Sequence, residues 1–529
     1  MRRKFLTQPQ EQSDLFSFLK GESFVRFGLF SLIIGLFIWP IIHAGVFFAD
    51  DYQRALEGNV SMATCGRYLA ELFLISTSFS PALYSVAPLF QMLSVPVLAF
   101  ALMQFSFALA WDRRSSLLVL PFIVCTPFFL QNLSYCFDAI TMSLALACAI
   151  FPFCFQGKYK YGFATFSLLV CLNFYQAALN SFFILLVLLS LMKLLEKKEE
   201  KILSVIVFFS KYLLLALFAL VLYKIENFLL FPLLAGDHAR EYAVMSLSPA
   251  SLCQAVEMFW HYCFVECNKG LVAWILSFAV ICGLGRFFYR LVTLENKKEA
   301  LCASFLALFL LFFAFISIAG PMALLAKPLI VPRVMIGMGA FIALGMTFLV
   351  HYPSSFKGFE KCAFALAGIS MLGVMVGAFA YGSALGMQTK YEEQLRDHLA
   401  EDLYALHVTT DHLIVGLLLF SKPPLAPYVK NTLRSFPWIL NDLGDRVGNP
   451  DPILWPLPYQ LIEAGLPEAI EVIAFVPEDW ESDAKSGSLL CRYSHKIMRR
   501  FYTIYQRDNH VLVDFNQRKC LAIEDFQKG

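Results

Sequence analysis

Long apolar runs in the first 386 residues constrain this chain more than any other feature. A helix that crosses a hydrocarbon core of about 30 Å needs roughly 20 consecutive apolar residues. Runs that approach or exceed this length lie near residues 25–48, 83–110, 116–131, 139–155, 162–177, 179–194, 202–231, 271–292, 300–320, 332–350 and 361–386. The sequence therefore predicts an all-α polytopic membrane protein with about 11 transmembrane helices within residues 25–386.

The overall composition excludes several other classes of protein. Hydrophobic residues make up 58% of the chain and charged residues only 16%, whereas soluble domains carry about 25% charged residues. A water-soluble enzyme, a disordered chain and a secreted disulfide scaffold are therefore excluded. The net charge of +2 also excludes a nucleic-acid binder that relies on a polybasic surface.

The distribution of basic residues predicts the orientation of the helices. Lysine and arginine are concentrated on the cytoplasmic side of membrane proteins. The loops on the side of the N-terminus hold 19 of these residues, and the opposite loops hold 6. We therefore expect residues 1–24 to form a cytoplasmic tail and the C-terminus to lie outside. The outer side then holds a first loop (49–82), a long loop (232–270) and a further loop (321–331).

The composition changes sharply after Gly386. Residues 387–529 are charged and rich in proline, and they contain no further long apolar run. Local patterns predict helices at Tyr391–Leu406 and Thr432–Leu443, strands at Leu413–Phe420 and Ile470–Val476, and a hairpin of Phe501–Tyr505 and Val511–Phe515. We therefore expect a small C-terminal α/β domain on the periplasmic face.

Two cysteines in this terminal segment flank the predicted hairpin. Cys491 and Cys520 are its only cysteines. Disulfides form and persist in oxidising compartments such as the periplasm. The pair is therefore a disulfide candidate, and two free thiols are equally compatible with the sequence.

An acidic pair follows the first apolar run directly. Asp50 and Asp51 stand at the expected membrane surface, where a half-buried carboxylate is costly. One interpretation is that both residues cap an interfacial helix that begins at Tyr52, because acids favour helix N-termini. The other is that one carboxylate is a general base for a sugar hydroxyl, since a like charge and partial burial raise a carboxyl pKa.

Other polar residues are expected on the same outer side, although the sequence gives their topology and not their proximity. Each has a structural alternative: a helix N-cap for Asp138, an interfacial position for Tyr175, a satisfied amide for Gln176, and headgroup contact for a single arginine. Together, acids and cations on one face favour a phosphate-bearing lipid with a reacting sugar. The further candidates are Arg54, Arg67, Tyr135, His238, Arg240, Lys327 and Arg333.

Motifs for other chemistries are missing from the sequence. It contains no glycine-rich phosphate loop, no HExxH helix and no G-x-S-x-G elbow. The predicted cytoplasmic loops are too short to form a nucleotide-binding domain. The energy of a transfer reaction must therefore come from a lipid-linked donor.

The ordered motifs of the first 180 residues resemble a known family. The pattern Ala49-Asp50-Asp51-Tyr52-x-Arg54-x3-Gly58, followed by Gly66-Arg67, is similar to the first outer loop of the bacterial O-antigen glucosyltransferases of serotype conversion, the GtrII-type family. Tyr135-x2-Asp138 and Tyr175-Gln176-Ala177 also resemble its motifs. Residues 59–65 depart from the family, which often has a tryptophan there.

The resemblance implies a GT-C fold in the inner membrane and a transfer of glucose on its periplasmic face. The implied donor is undecaprenyl-phosphate glucose, and the implied acceptor is the O-antigen repeat of lipopolysaccharide. Asp50 would be the base, and Asp51 would support it or orient the sugar. The cations expected at the donor phosphate are Arg54 and Arg67, together with Lys327 and Arg333, which rest on the predicted topology and not on a family motif. The residues expected at the substrates are Tyr135, Asp138, Tyr175, Gln176, His238 and Arg240.

The expected reaction is a single inverting displacement that requires no cofactor. A divalent metal on the paired aspartates remains an alternative, although no metal ligand set is assigned. Two other functions also fit the sequence. One is a GT-C transferase that moves another sugar or group from a polyprenyl phosphate. The other is a flippase or transporter of a lipid-linked sugar, although such proteins typically bind at the bilayer midplane between internal repeats.

Overall fold

The fold divides into two compact units. The computed structural model describes residues 21–196, 201–234, 248–266, 269–293, 296–321, 331–352, 357–407, 413–417, 424–443, 456–467, 470–473 and 495–515. The first unit comprises Met1–His43, Val60–Tyr381 and Phe436–Trp438. The second unit comprises Ala44–Asn59, Gly382–Ser435 and Ile439–Gly529.

Helices account for most of the described residues. In chain order they are α1 Glu22–Ala44, α2 Asp51–Glu57, α3 Tyr68–Ser78, α4 Leu89–Ala108, α5 Arg113–Val119, α6 Pro127–Ser134, α7 Ala139–Ile150, α8 Lys160–Phe174, α9 Leu179–Leu194, α10 Lys201–Leu234, α11 Pro249–Trp260, α12 Leu271–Val292, α13 Lys297–Ile316, α14 Gly337–Val350, α15 Lys357–His407, α16 Pro427–Ser435, α17 Ile439–Asp442 and α18 Pro456–Glu463. Short 3-10 helices lie at Ala63–Cys65, Leu120–Ile123, Phe151–Phe153, Gln176–Ala178 and Pro332–Val334, and a π-helix at His261–Glu266.

Seven helices in the described part of the chain are long and apolar enough to cross a membrane. They are Glu22–Ala44, Leu89–Ala108, Gln176–Leu194, Ile202–Leu230, Leu271–Val292, Lys297–Ile316 and Gly358–His407. An eighth crossing results if Arg113–Ile123 and Pro127–Ser134, which are bent by 64°, count as one broken span. The predicted class, a helical multi-pass membrane protein, is confirmed.

Three predicted crossings are shorter than a bilayer requires, so the count of eleven is not reached by helix length. The runs near 139–155, 162–177 and 332–350 form α7, α8 and α14, with 12, 15 and 14 residues. Each has a local cause. Pro152 lies in a 3-10 turn after α7, Tyr175 is extended after α8, and Pro332 opens a 3-10 turn before α14. Apolar composition alone does not register these breaks.

The core of the first unit is built around α9 and a close helix crossing. About 83% of the α9 span is buried inside the protein. Where α12 meets α14, a Cβ on Gly283 would lie 2.0 Å from the carbonyl oxygen of Gly345. Only glycine permits this approach, which is typical of packing between membrane helices.

Basic and aromatic residues connect several segments at one end of the first unit. Arg26 donates through Nη1 to the carbonyl oxygen of Trp111 at 2.9 Å. The Trp111 ring stacks on His351 with centroids 4.5 Å apart. Arg286 donates to the carbonyl oxygen of Tyr352. Segments that the sequence assigns to the cytoplasmic side thus share one end, referred to below as the basic end.

The second unit contains a five-stranded sheet with the order β2-β1-β5-β4-β3. Its strands are β1 Leu413–Leu417, β2 Ile470–Ile473, β3 His495–Met498, β4 Thr503–Arg507 and β5 His510–Asp514. β1 pairs in parallel with β2 and β5, and β4 forms an antiparallel hairpin with β5. Both predicted strands and the hairpin are confirmed, whereas β3 was not predicted because it lacks an apolar alternation.

Two helices of the terminal segment differ from the sequence-based prediction. The predicted helix at 391–406 is the continuation of α15, which runs without a break for 51 residues. Gly386 lies inside this helix, so the change of composition does not end it. The predicted helix at 432–443 is divided into α16 and α17 by Pro437, which cannot donate a backbone hydrogen bond. The side chains of α15, β1, β4, β5 and α18 form the apolar core of this unit.

Candidate functional site

The acidic pair lies at the start of α2 in the second unit, and its two carboxylates have different surroundings. The side chain of Asp51 is fully buried, and its Oδ2 accepts a hydrogen bond of 3.0 Å from the backbone N–H of Phe48. The backbone N–H of Asp51 in turn donates to the carbonyl oxygen of Phe48 at 3.0 Å. Ala49 between them has a φ of 47°, so the chain turns tightly here. This arrangement fixes the orientation of Asp51.

Asp50 remains accessible from the solvent. About half of its side chain, 51%, is exposed, and its Oδ2 lies 3.9 Å from Nη2 of Arg54. Asp50 occupies the N-cap position of α2 but makes no capping hydrogen bond through its side chain. The interpretation of the pair as helix caps therefore does not account for Asp50.

A tyrosine from the terminal segment extends the surroundings of the pair. Tyr459 in α18 belongs to the same unit as α2. Burial, together with the neighbouring carboxylates of Glu57 and Asp50, raises the pKa of Tyr459 to about 12. Tyr459 is therefore neutral at physiological pH and able to donate a hydrogen bond beside the acidic helix. The sequence alone did not single out Tyr459, because it lies more than 400 residues after α2.

A second group of polar residues lies in the first unit and centres on Tyr175. The guanidinium carbon of Arg67 lies 4.6 Å from the centroid of the Tyr175 ring. The hydroxyl group of Tyr175 donates to the carbonyl oxygen of Arg333 at 2.9 Å. Asp138, which is only 2% exposed, lies within electrostatic range of the same hydroxyl. Four candidates that are scattered along the sequence are therefore neighbours, referred to below as the Tyr175 cluster.

Arg333 is fixed through its main chain. Its backbone N–H donates to Oε1 of Gln131 at 3.0 Å, and its carbonyl oxygen accepts from Nδ2 of Asn132 at 3.1 Å. Both partners lie on α6, the second half of the broken span. Neither was predicted, although polar residues within an apolar run are a signal of function or of internal pairing in membrane proteins.

The Gly66-Arg67 motif is held by residues of α10. Gln176 donates from Nε2 to the carbonyl oxygen of Cys65 at 3.1 Å and to the hydroxyl of Tyr223 at 2.7 Å. That hydroxyl donates to the carbonyl oxygen of Gly66 at 2.9 Å. Gly66 has a φ of 73°, and a Cβ there would meet the Tyr223 hydroxyl at 2.6 Å. The position therefore requires glycine.

Two further polar residues of α10 belong to this network. Glu226 accepts a hydrogen bond of 2.7 Å from Nδ2 of Asn173. Asn227 accepts one of 3.0 Å from the hydroxyl of Tyr68. Neither residue was predicted, because the hydropathy of α10 indicates a single apolar run. An ionisable residue inside such a run is the signal that could have identified Glu226.

The remaining candidates have different placements. Tyr135 is buried at the end of α6. Asp138 stands at the N-cap of α7 but makes no capping hydrogen bond through its side chain. The candidates that lie outside the described residues are His238, Arg240, Lys327, Cys491 and Cys520. Within the described part of the chain, no group of three His, Cys, Asp or Glu side chains could hold a metal ion.

Comparison with known proteins assigns the chain to a family. The family described as Glucosyl transferase GtrII matches residues 39–344. The chain belongs to this family. The matched range includes the acidic pair and the whole Tyr175 cluster. Membership of this family, together with the apolar helices, makes the protein a membrane glycosyltransferase. The one broken span and the short helices of the described residues thus belong to a chain of the GtrII family.

A phage protein is similar over a still longer range. The chain is 26% identical over 463 residues to a protein of Salmonella phage P22, described as an uncharacterized 55.3 kDa protein in the gtrB 5' region. The similarity covers 80% of this chain and 87% of the phage protein. It therefore extends beyond the range that the family matches.

Proposed function

We propose that this protein is an inverting glucosyltransferase that uses undecaprenyl-phosphate glucose and modifies the O-antigen repeat of lipopolysaccharide. The reaction takes place on the periplasmic face of the inner membrane, with the N-terminus cytoplasmic and the C-terminus periplasmic. The observation that carries the proposal is the contrast between adjacent carboxylates in a GtrII-family chain: Asp51 is buried and fixed, whereas Asp50 is half exposed. Two neighbouring carboxyl groups with different environments typically have different roles in catalysis.

Asp50 is the general base of the proposed reaction. Its carboxylate takes the proton of the acceptor hydroxyl as the hydroxyl oxygen attacks the anomeric carbon. A bond forms between that oxygen and the anomeric carbon, while the bond between the anomeric carbon and the phosphate oxygen breaks. The electron pair of the broken bond leaves with the polyprenyl phosphate, and the configuration at the anomeric carbon is inverted.

Asp51 and Arg54 position the base. Asp51 accepts the Phe48 N–H and so holds the turn that presents Asp50. Nη2 of Arg54 lies 3.9 Å from Oδ2 of Asp50 and restrains the position of this carboxylate.

The two arginines of the Tyr175 cluster, Arg67 and Arg333, are assigned to the donor phosphate. A phosphodiester donor releases a stable anion, so no acid is needed to protonate the leaving group, unlike in glycosidases. Arg67 and Arg333 stabilise the charge that develops on this anion, because guanidinium groups match phosphate oxygens well. Lys327 is a further cation for the phosphate. The substrate sugars are assigned to Tyr135, Asp138, Tyr175, Gln176, His238 and Arg240.

The decisive experiment compares Asp50→Asn with Asp51→Asn at equal membrane expression. Transfer from synthetic undecaprenyl-phosphate glucose to the lipid-linked acceptor glycan is measured by thin-layer analysis of the product. Loss of a general base is expected to reduce the rate about 10²- to 10⁴-fold in Asp50→Asn. Asp51→Asn should lose less, because an amide oxygen can still accept the Phe48 N–H.

Asp112→Asn is the matched control. Asp112 is also a loop carboxylate next to a helix, where it accepts hydrogen bonds from Ser115. We expect this variant to keep its transfer rate. Unchanged modification by both Asp50→Asn and Asp51→Asn would remove the general-base mechanism.

The same assay separates the proposal from its alternatives. Donors with other sugars on undecaprenyl phosphate test the specificity for glucose, and EDTA tests for a divalent metal on the paired aspartates. Translocation of a fluorescent lipid-linked sugar in vesicles, without any transfer, would instead identify a transporter.

A further inference from the structure

A cavity of about 320 Å³ lies at the basic end of the first unit. Glu196 in its wall lies within electrostatic range of Tyr352. Tyr352 receives the hydrogen bond from Arg286, and its ring lies 5.0 Å from the guanidinium carbon of Arg290. No residue of the acidic pair or of the Tyr175 cluster lines the cavity. It is therefore separate from the residues assigned to sugar transfer.

One part of the cavity wall is aromatic. The ring centroid of Tyr212 lies 5.0 Å from that of Phe208 and 5.3 Å from that of Phe153. Phe155 and Met192 continue this surface. This surface suits a ligand in which hydrocarbon adjoins a polar group, because the rings are apolar and Tyr212 adds a hydroxyl group.

The other part of the wall is basic. Among the described residues, Lys160, Lys193 and Lys211 line it together with one carboxylate, that of Glu196, so these side chains carry a net charge of +2. Nζ of Lys160 lies 4.8 Å from the ring centroid of Tyr161, and Nζ of Lys193 lies 4.8 Å from that of Phe208. Lys160 and Lys193 therefore lie beside aromatic rings, and all three lysines add positive charge to the wall.

We propose that this cavity binds the phosphate headgroup of an anionic glycerophospholipid, such as phosphatidylglycerol, from the leaflet at the basic end. The lysines contact the phosphate, and the aromatic wall contacts the glycerol and the first carbons of the acyl chains. Basic pockets between transmembrane helices are typical sites for anionic headgroups. The volume is also at the lower end of the range for sites of small ligands. The proposal does not depend on the transfer reaction.

The test is native mass spectrometry of the full-length protein released from detergent, with phosphatidylglycerol and phosphatidylcholine as probes. We expect a bound phosphatidylglycerol and no comparable phosphatidylcholine adduct. Replacement of Lys160, Lys193 or Lys211 by glutamine should weaken phosphatidylglycerol binding about fivefold for each lysine. Lys158→Gln is the control, because Lys158 is exposed and does not line the cavity.

Glu196→Gln provides a second measurement if the lysine variants fold poorly. It removes the negative charge of the cavity, so phosphatidylglycerol should bind more tightly. Equal adducts with phosphatidylcholine, or an equal loss in Lys158→Gln, would overturn the proposal. Displacement of phosphatidylglycerol by an equimolar amount of undecaprenyl phosphate would also overturn it and assign the cavity to the polyprenyl lipid.

Discussion

Replacement of Tyr175 tests whether its ring positions Arg67 for the donor phosphate. Tyr175 is only 2% exposed, and its ring centroid lies 4.6 Å from the guanidinium carbon of Arg67. Tyr175→Phe keeps this ring and removes only the hydroxyl group. Tyr175→Leu removes both. The two variants therefore separate the contribution of the ring from that of the hydroxyl.

The expected magnitudes follow from these contacts. A cation–π contact that is shielded from water contributes about 2 kcal/mol, which corresponds to roughly a 30-fold change in an equilibrium constant. The hydroxyl contributes about 1 kcal/mol at most, because the carbonyl oxygen of Arg333 keeps its bond from Asn132 at 3.1 Å. Tyr175→Leu should therefore raise the KM for the lipid donor up to about 30-fold, and Tyr175→Phe should raise it only a few-fold.

A double-mutant cycle with Arg67→Gln provides the assay. The specificity constant for undecaprenyl-phosphate glucose is measured in nanodiscs for both single variants and for the double variant, and folding is checked by size-exclusion chromatography. The coupling free energy between positions 67 and 175 should be about 0.5–2 kcal/mol with leucine and close to zero with phenylalanine. Equal coupling for leucine and phenylalanine would refute the role of the ring.

Two other predictions concern stability. Gly283→Ala should destabilise the protein by about 1–3 kcal/mol and lower its melting temperature, since the new Cβ would lie 2.0 Å from the Gly345 carbonyl oxygen. Gly285→Ala is the control and should leave the melting temperature unchanged, because no atom lies within 4 Å of its Cβ. Equal effects of the two variants would contradict the assigned helix crossing. Burial raises the pKa of Asp442 well above its ordinary value, so the stability that this group contributes is present at low pH and is lost as the pH rises. In thermal unfolding, Asp442→Asn should therefore stabilise the full chain more at pH 8 than at pH 5, whereas the exposed control Asp508→Asn should not. An equal gain in stability of Asp442→Asn at both pH values would contradict the raised pKa of the buried Asp442 carboxyl.

Much of the helical architecture could be predicted from hydropathy, because burial in lipid imposes a long apolar run on each crossing. The hairpin of β4 and β5 was predicted for a similar reason, since alternating apolar residues flank a polar turn. The loops near Tyr175 and Pro332 were expected, but the short length of α8 and α14 was not, because backbone conformation at Tyr175 and after Pro332 shortens these helices. The length of α15 was missed because a change from apolar to charged residues does not by itself end a helix, and residues 387–407 contain no glycine or proline that would break it.

The candidate residues could be named from the sequence, but their grouping could not. Arg67 and Tyr175 are more than 100 residues apart, and their contact depends on how α3, α8 and α10 pack. The roles of Tyr223 and Glu226 were hidden because an apolar run was treated as uniform. The sequence shows which functional group stands at a position, whereas the residues that orient this group depend on tertiary packing.

The two hydrogen bonds from α6 hold residue 333 through its backbone and not through its side chain. The N–H and the carbonyl oxygen at this position are both bound by amide side chains of α6. These two bonds would persist with almost any residue at position 333 except proline. Enzymes of this family could therefore exchange that side chain during evolution, and adapt to another anionic leaving group, without rebuilding the loop that carries it.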